Sequence, residues 1–101
     1  MAERKTESPA LMEIGKLIES KRKALGKQYR SREKFIEKRS DELFDSEDWI
    51  SLRYLYNVER GKNWISIEKL FLLSQALEVD PVDLFAEITE IYFSDSFKMQ
   101  S

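Results

Sequence analysis

Apolar residues recur at intervals of three and four positions along the chain, which is the spacing of one buried face of a helix. Pro9 suits a first helical turn and Gly26 a helix end, so a first helix is predicted over about residues 10–25. Ser31 suits the N-terminal cap of a second helix, which continues through Leu43 and Phe44 if it extends that far. The inward positions of these two helices are Ile14, Leu17, Ile18, Leu25, Phe35 and Ile36.

A third helix is predicted to end at Gly61, which suits the left-handed residue that follows many helices. Leu55 and Val58 lie three positions apart on its inward face. The beginning of this helix is open, because Ser46 and Ser51 are both able to cap it. Its first helical residue is therefore 47 or 52.

Two further helices complete the pattern. Ser66 caps helix four, and Asp80 with Pro81 begins helix five, which is predicted over about residues 81–92. The inward stripe predicted for helix four is Ile67, Leu70, Phe71 and Leu77, flanked by Leu73 and Ala76, with Ser74 as a small core residue. No segment alternates with period two over the length of a strand, so the predicted fold class is all-α with five helices.

The composition excludes most of the chemistry that small enzymes use. The 101 residues contain neither cysteine nor histidine, which removes thiol nucleophiles, imidazole bases and the usual ligands of zinc and haem. The carboxylates have no partner base, nucleophile or phosphate loop, so we expect no enzymatic activity, cofactor or metal. A polar N-terminus and the lack of an apolar run of about 20 residues predict a cytoplasmic protein without a membrane segment.

Positive charge is concentrated in the first part of the chain. Residues 1–39 contain twelve Lys and Arg against six Asp and Glu, whereas residues 40–101 contain five against thirteen. The basic part is able to face a polyanion such as nucleic acid. The alternative is that its lysines only solvate two exposed helix faces.

Three groups of residues carry a resemblance to a known family. They are Ile14-Gly15-Lys16-Leu17-Ile18 with residues 20–26, Val58-Glu59-Arg60-Gly61-Lys62, and residues 66–70 with 76–81 and Leu84-Phe85. In their order and spacing they resemble the lambda-repressor-like helix-turn-helix family, also called the Cro/C1 or XRE type. The resemblance covers about residues 14–88. It implies a compact five-helix DNA-binding domain.

This resemblance implies a sequence-specific transcriptional regulator, and in particular a dimeric repressor that binds an inverted repeat in double-stranded DNA through helix three. By position, Arg53, Tyr54 and Asn57 face the major groove. Arginine bonds guanine O6 and N7 with both arms, asparagine does the same at adenine N6 and N7, and tyrosine offers a hydroxyl or a ring. These three residues are the implied base readers.

The other DNA contacts implied by the resemblance go mainly to the backbone. Lys62 and Asn63 match positions that contact phosphate, which fixes register without reading sequence. Arg32 matches a contact to phosphate or to an outer base, and Ser51 belongs to the same DNA-binding set.

Glu59 has a different predicted role. By family position it pairs with Arg22 and joins helix one to the end of helix three. This pair is predicted to be part of the scaffold rather than of the DNA surface.

The chain departs from the family between helices two and three, where about nine residues are added to a turn of usually 3–4 residues. About three more are inserted between Gly26 and Ser31. The longer insertion is acidic and contains Asp41, Glu42, Asp45, Glu47 and Asp48. Near DNA its carboxylates are repelled by phosphate. Two alternatives remain open: Glu47 and Asp48 favour the start of helix three through its dipole, or the loop folds outward with Phe44 and Trp49 anchored on the core.

The acidic insertion also supports an alternative function. In this reading the protein is an interaction module on the same fold, antirepressor-like or antitoxin-like, and residues 41–48 are its contact surface.

The end of the chain is rich in apolar residues, namely Ile88, Ile91, Tyr92, Phe93 and Phe97. Such a surface predicts a homodimer, with folding back over helix one as the alternative. Residues 1–101 are interpreted as a single helix-turn-helix domain, in which 1–9 form a flexible arm and 93–101 a C-terminal tail. The sequence indicates no particular small-molecule inducer.

Overall fold

The computed structural model describes residues 8–100, with side chains through Ser94. This part of the chain contains five α-helices, one short 3₁₀ helix and no β-strand. The α-helices are α1 Pro9–Ala24, α2 Arg32–Leu43, α3 Leu52–Glu59, α4 Ile67–Leu77 and α5 Pro81–Gln100, and the 3₁₀ helix is Lys27–Tyr29. The all-α, five-helix prediction is confirmed. Most of the predicted arm and the side chain of Phe97 lie outside the described residues.

Four helices begin at the residues predicted to cap them. The Ser31, Ser51 and Ser66 hydroxyls each accept a hydrogen bond from the backbone N–H three residues further on, at 3.1, 3.0 and 3.2 Å. The Asp80 carboxylate accepts from the N–H of Val82 at 2.7 Å. Each cap satisfies an N–H that the first turn of a helix leaves without an internal partner.

The beginning of α3 is thereby decided. Ser51 caps the helix, and Ser46 instead donates its hydroxyl hydrogen bond to Asp41 at 2.9 Å. Glu47 and Asp48 precede the cap, and the first turn of α3 contains no acidic residue. Their predicted stabilisation of this helix through its dipole is therefore wrong, because that effect is confined to the first turn.

The outward-folding alternative for the insertion is confirmed. Trp49 stacks on Phe44 with ring centroids 4.8 Å apart and packs edge-to-face on Phe35 at 5.8 Å. Its indole N–H donates to the Ile36 carbonyl at 3.1 Å, and the Lys69 ammonium donates to the Trp49 carbonyl at 2.9 Å. The extra residues thus extend α2 to its observed end and return to α3 across the middle of α2.

The shorter insertion contributes a buried tyrosine to the fold. Tyr29 ends the 3₁₀ helix, packs edge-to-face on Phe35, and donates its hydroxyl hydrogen bond to Glu42 at 2.9 Å. Burial and this hydrogen bond raise the pKa of Tyr29. Glu42 also accepts from Arg39, so this acid of the insertion serves the scaffold.

Two residues of α4 were assigned to the wrong face. Ile67 and Phe71 are 60% and 55% exposed, whereas Leu73 and Ala76, predicted as flanks, are fully buried. Each residue of a helix advances about 100° around the axis, so a small rotation of the buried stripe toward Leu73 moves Phe71 into solvent. The predicted core role of Ser74 is confirmed.

The last helix is longer than predicted. α5 was expected to end near residue 92 and continues to Gln100, through most of the predicted tail. Residues 93–100 contain neither glycine nor proline, so no residue type in this segment ends the helix.

Candidate nucleic-acid interface

Helix α3 presents one face to the core and the opposite face to solvent. Leu55, Val58 and Glu59 are buried. The outward positions are Arg53, Tyr56, Asn57 and Arg60, which follow the i, i+3, i+4, i+7 spacing of a single helix face. Two arginines, a tyrosine and an asparagine therefore lie side by side on the outside of this short helix.

The end of α3 has the geometry predicted from Gly61. This glycine has a φ of +74°, its N–H donates to the Val58 carbonyl at 3.1 Å, and the N–H of Lys62 donates to the Asn57 carbonyl at 2.8 Å. The two bonds form a Schellman motif, in which a left-handed residue satisfies the last carbonyls of a helix. Gly61 itself is buried, and Lys62, the next residue, is exposed.

An open groove of about 710 Å³ runs between the start of α2 and the outward face of α3. Its lining residues are Ser31, Arg32, Glu33, Leu52, Arg53, Tyr56, Asn57 and Lys62. Four of the seven residues predicted to bind DNA, namely Arg32, Arg53, Asn57 and Lys62, thus share one surface.

The other three predicted residues lie outside this lining. Ser51 is the cap of α3. Tyr54 is half-buried, and its hydroxyl donates to the Trp64 carbonyl at 3.3 Å and accepts from the N–H of Ser66 at 3.1 Å. Asn63 is half-buried in the turn after α3. Tyr54 therefore connects α3 to the start of α4.

Arg32 is tied to the scaffold as well as lining the groove. Its Nε donates to the Glu59 carboxylate at 2.7 Å, and its guanidinium carbon lies 5.0 Å from the centre of the Tyr56 ring. These contacts join the first residue of α2 to the last residue of α3.

The predicted pair between Arg22 and Glu59 is confirmed. Arg22 donates from Nε and Nη2 to the two Glu59 carboxylate oxygens at 2.8 and 2.9 Å, and both side chains are buried. The remaining terminal nitrogen of Arg22 donates to the carbonyls of Tyr29 and Arg30. One carboxylate thus connects α1, α2 and α3 behind the outward face.

Sequence reasoning missed Tyr56 and Arg60. Both lie on the outward face, and the signal for them was their spacing of three and seven positions from Arg53. Among the described residues, none of Arg53, Arg60 and Lys62 pairs with a carboxylate, and Glu33 is the one acidic residue of the groove lining. The surface around α3 is therefore predominantly basic although the chain as a whole is acidic.

The basic surplus of the first 39 residues is partly neutralised elsewhere. On α1, Lys21 pairs with Glu87 at 3.0 Å and Lys23 with Glu19 at 3.1 Å. The hydrogen bond from Lys23 lowers the pKa of Glu19. The charge asymmetry along the sequence is thus a poor guide to the basic surface, which combines residues from α2 and from the end of α3.

Comparison with known families identifies this region. A family model described as helix-turn-helix matches residues 38–84, from within α2 to the start of α5. Residues 38–84 therefore resemble a helix-turn-helix domain of the Cro/C1 type. This family consists of DNA-binding transcription regulators with the all-α lambda-repressor-like fold, so the predicted resemblance is confirmed. Comparisons with curated proteins and with solved structures gave no match.

The matched range covers the second half of α2, all of α3 and α4, and the start of α5. In helix-turn-helix domains the first helix of the motif crosses the DNA backbone and the second lies in the major groove. The connection between α2 and α3, residues 44–51, is longer than the usual turn of this motif. In the part of the chain that the structure describes, no helix is long and apolar enough to cross a membrane.

Proposed function

We propose that this protein is a sequence-specific DNA-binding repressor of transcription that acts in the cytoplasm as a homodimer, with α3 in the major groove at each half of an inverted repeat. The observation that carries the proposal is the outward face of α3, where Arg53 and Asn57 line a basic groove with Arg32 and Lys62. The family match and the buried Glu59 behind this face support it.

The residues in and beside the groove have two proposed roles: some contact bases, and others contact phosphate or fix the position of α3. Arg53 is exposed and suited to the two acceptors of guanine, and Asn57 to the donor and acceptor of adenine. Lys62 and Asn63, beside the Gly61 turn, are suited to phosphate, which sets the register of α3 on the duplex. Tyr54 is better suited to fixing the position of α3 against α4, because its hydroxyl is engaged on both sides.

The exposed acids of the insertion are compatible with this role. The Ser40 hydroxyl donates to the Glu47 carbonyl at 2.7 Å, and the N–H of Ser46 donates to the Ser40 carbonyl at 2.9 Å, so the insertion is held against the C-terminal part of α2. Ser40 lies about 12 Å along the helix axis from Arg32, at a rise of about 1.5 Å per residue. A carboxylate beside Ser40 is therefore farther from Arg32 than the Debye length of about 8 Å at physiological salt, whereas Asp48 lies only three residues before the α3 cap Ser51.

Replacing Arg53 or Asn57 by alanine is expected to weaken binding to the specific duplex by about 1–3 kcal/mol for each lost bidentate contact. Duplexes are selected from a random pool by the parent protein, and affinities are then measured by fluorescence anisotropy at fixed salt. Both side chains lie outside the buried core, so the free energy of unfolding should stay within about 0.5 kcal/mol of the parent.

The matched control is Lys16→Ala, which removes one positive charge from an exposed position on α1 outside the groove. It is expected to change specific affinity less than about twofold. Arg53→Ala and Asn57→Ala variants that bind the selected duplex as tightly as the parent would show that the assigned reading face is wrong. A parent protein that selects no duplex would refute the proposed function itself.

Homodimer formation is supported by apolar side chains on α4 and α5. On α5, Phe85 and Phe93 are 49% and 54% exposed. On α4, Ile67 and Phe71 are exposed to a similar degree. Large exposed apolar residues of this number often mark association surfaces. In sedimentation velocity at tens of micromolar the parent is expected to be a dimer and Phe93→Glu a monomer, with Glu90→Gln as the control on the same helix. A monomeric parent would contradict the dimer.

A further inference from the structure

Tyr56 lies at the centre of a group of cations on the outward face of α3. The guanidinium carbons of Arg32 and Arg60 are 5.0 and 5.7 Å from the centre of its ring, and the Lys62 ammonium is 6.0 Å away. All three distances fall within the range in which the negative face of an aromatic ring attracts a cation. Tyr56 is 39% exposed, so it belongs to the surface rather than to the core.

The three cations differ in their charge balance. Arg32 is paired with the buried Glu59 carboxylate, so its charge is largely compensated. Arg60 and Lys62 have no carboxylate partner among the described residues. They stand on either side of the Gly61 turn, and two like charges so close along the chain repel each other. A shared aromatic ring offsets this repulsion without neutralising either charge.

We propose that Tyr56 is a positioning residue of the DNA interface, whose ring holds Arg60 and Lys62 together so that both contact the phosphate backbone beside α3. The inference rests on the proposed function and adds to it a role for Tyr56 and for Arg60. Long basic side chains lose conformational freedom when they bind, and a side chain already held against a ring loses less. The ring therefore increases affinity for phosphate without touching a base.

The test uses three variants and the duplex that the parent selects. Tyr56→Phe keeps the ring and removes the hydroxyl, and Tyr56→Leu removes the ring. Leu43→Ala is the matched control, because Leu43 is 40% exposed, close to the 39% of Tyr56, and lies at the C-terminal end of α2 outside the groove lining. At low salt we expect Tyr56→Phe and Leu43→Ala to bind within about twofold of the parent and Tyr56→Leu to bind about tenfold more weakly.

A second background separates cation positioning from a general effect on the helix. In an Arg60→Gln/Lys62→Gln protein no free cation remains for the ring to hold, so adding Tyr56→Leu should cost less than about twofold. Circular dichroism checks that each variant keeps the helical content of the parent. The loss caused by Tyr56→Leu should also shrink as salt rises, because phosphate contacts contribute less at high salt.

Three results would overturn the proposed role of Tyr56. Tyr56→Leu binding as tightly as the parent overturns the inference, and so does an equal loss for Tyr56→Phe, which would assign the effect to the hydroxyl. An equal cost of Tyr56→Leu in both backgrounds overturns it as well, because the ring would then act without the cations. A parent that binds no duplex removes the proposed function and this inference together, whereas the preceding outcomes leave the proposed function intact.

Discussion

Replacing Glu59 by alanine is expected to lower the free energy of unfolding by about 3–5 kcal/mol, the usual cost of removing one partner of a buried ion pair. The Arg22 side chain is 2% exposed, and two of its nitrogens bond the Glu59 carboxylate. Without that carboxylate a guanidinium charge stays buried with only backbone carbonyls as partners. Arg32 loses the same acceptor.

This loss is large against the total stability of a small domain, which is typically about 5–15 kcal/mol. Urea unfolding of the variant, followed by circular dichroism, should show a lower midpoint than the parent and little change in slope. The control is Glu87→Ala, which breaks the more exposed pair with Lys21 and should cost less than about 1 kcal/mol. A Glu59→Ala cost no larger than that of the control would contradict the scaffold role.

A double variant tests whether the buried charge causes the loss. Arg22→Met/Glu59→Leu replaces the pair by apolar side chains of similar size, and such replacements of buried pairs are often neutral or stabilising. It should therefore be more stable than Glu59→Leu alone, from which it differs only at residue 22. Arg32 keeps no carboxylate acceptor at this position in either protein, so the difference between them reports on Arg22.

The helix boundaries were largely predictable because capping is local. Ser31, Ser51 and Ser66 each bond an N–H three residues away, so a short stretch of sequence contains the whole interaction. The exact buried face of α4 was less predictable. Whether Phe71 or Leu73 points inward depends on the helices packed against α4, and spacing within α4 carries no information about them.

Some features of the candidate site were likewise predictable from the sequence, and others were not. The pairing of Glu59 with Arg22 followed from the family resemblance and is confirmed, whereas the phosphate contact that the resemblance implies for Lys62 stays a prediction. Tyr56 was missed because its contacts with Arg60 and Lys62 depend on the Gly61 turn, and its contact with Arg32, 24 residues earlier in the chain, depends on the packing of α2 on α3. Tyr54 was predicted to face the major groove of DNA. In the structure its hydroxyl instead forms hydrogen bonds with backbone groups of Trp64 and Ser66, in the turn before α4.

Replacing Gly15 by alanine is expected to destabilise the protein by about 3 kcal/mol, at the upper end of the usual cost of overpacking. A Cβ atom at this position would lie 2.5 Å from the Glu59 carbonyl oxygen and 2.6 Å from that of Val58. Both atoms belong to backbone, so no side-chain rotation relieves the clash, and α1 must move away from the end of α3. The sequence placed Gly15 in a family motif, but this close approach of two helices is visible only in the structure.

The sign of the effect makes the Gly15 prediction easy to test. In an exposed helix interior, glycine to alanine stabilises by about 1 kcal/mol, because alanine restricts the unfolded chain. Ser20→Ala, at an exposed position of α1, serves as the control and should change stability by less than about 0.5 kcal/mol. Chemical unfolding of Gly15→Ala that shows equal or greater stability than the parent would mean that α1 does not pack on α3 as closely as described. A loss near 3 kcal/mol supports the packing that holds the C-terminal end of α3, and with it Gly61 and Lys62, in place.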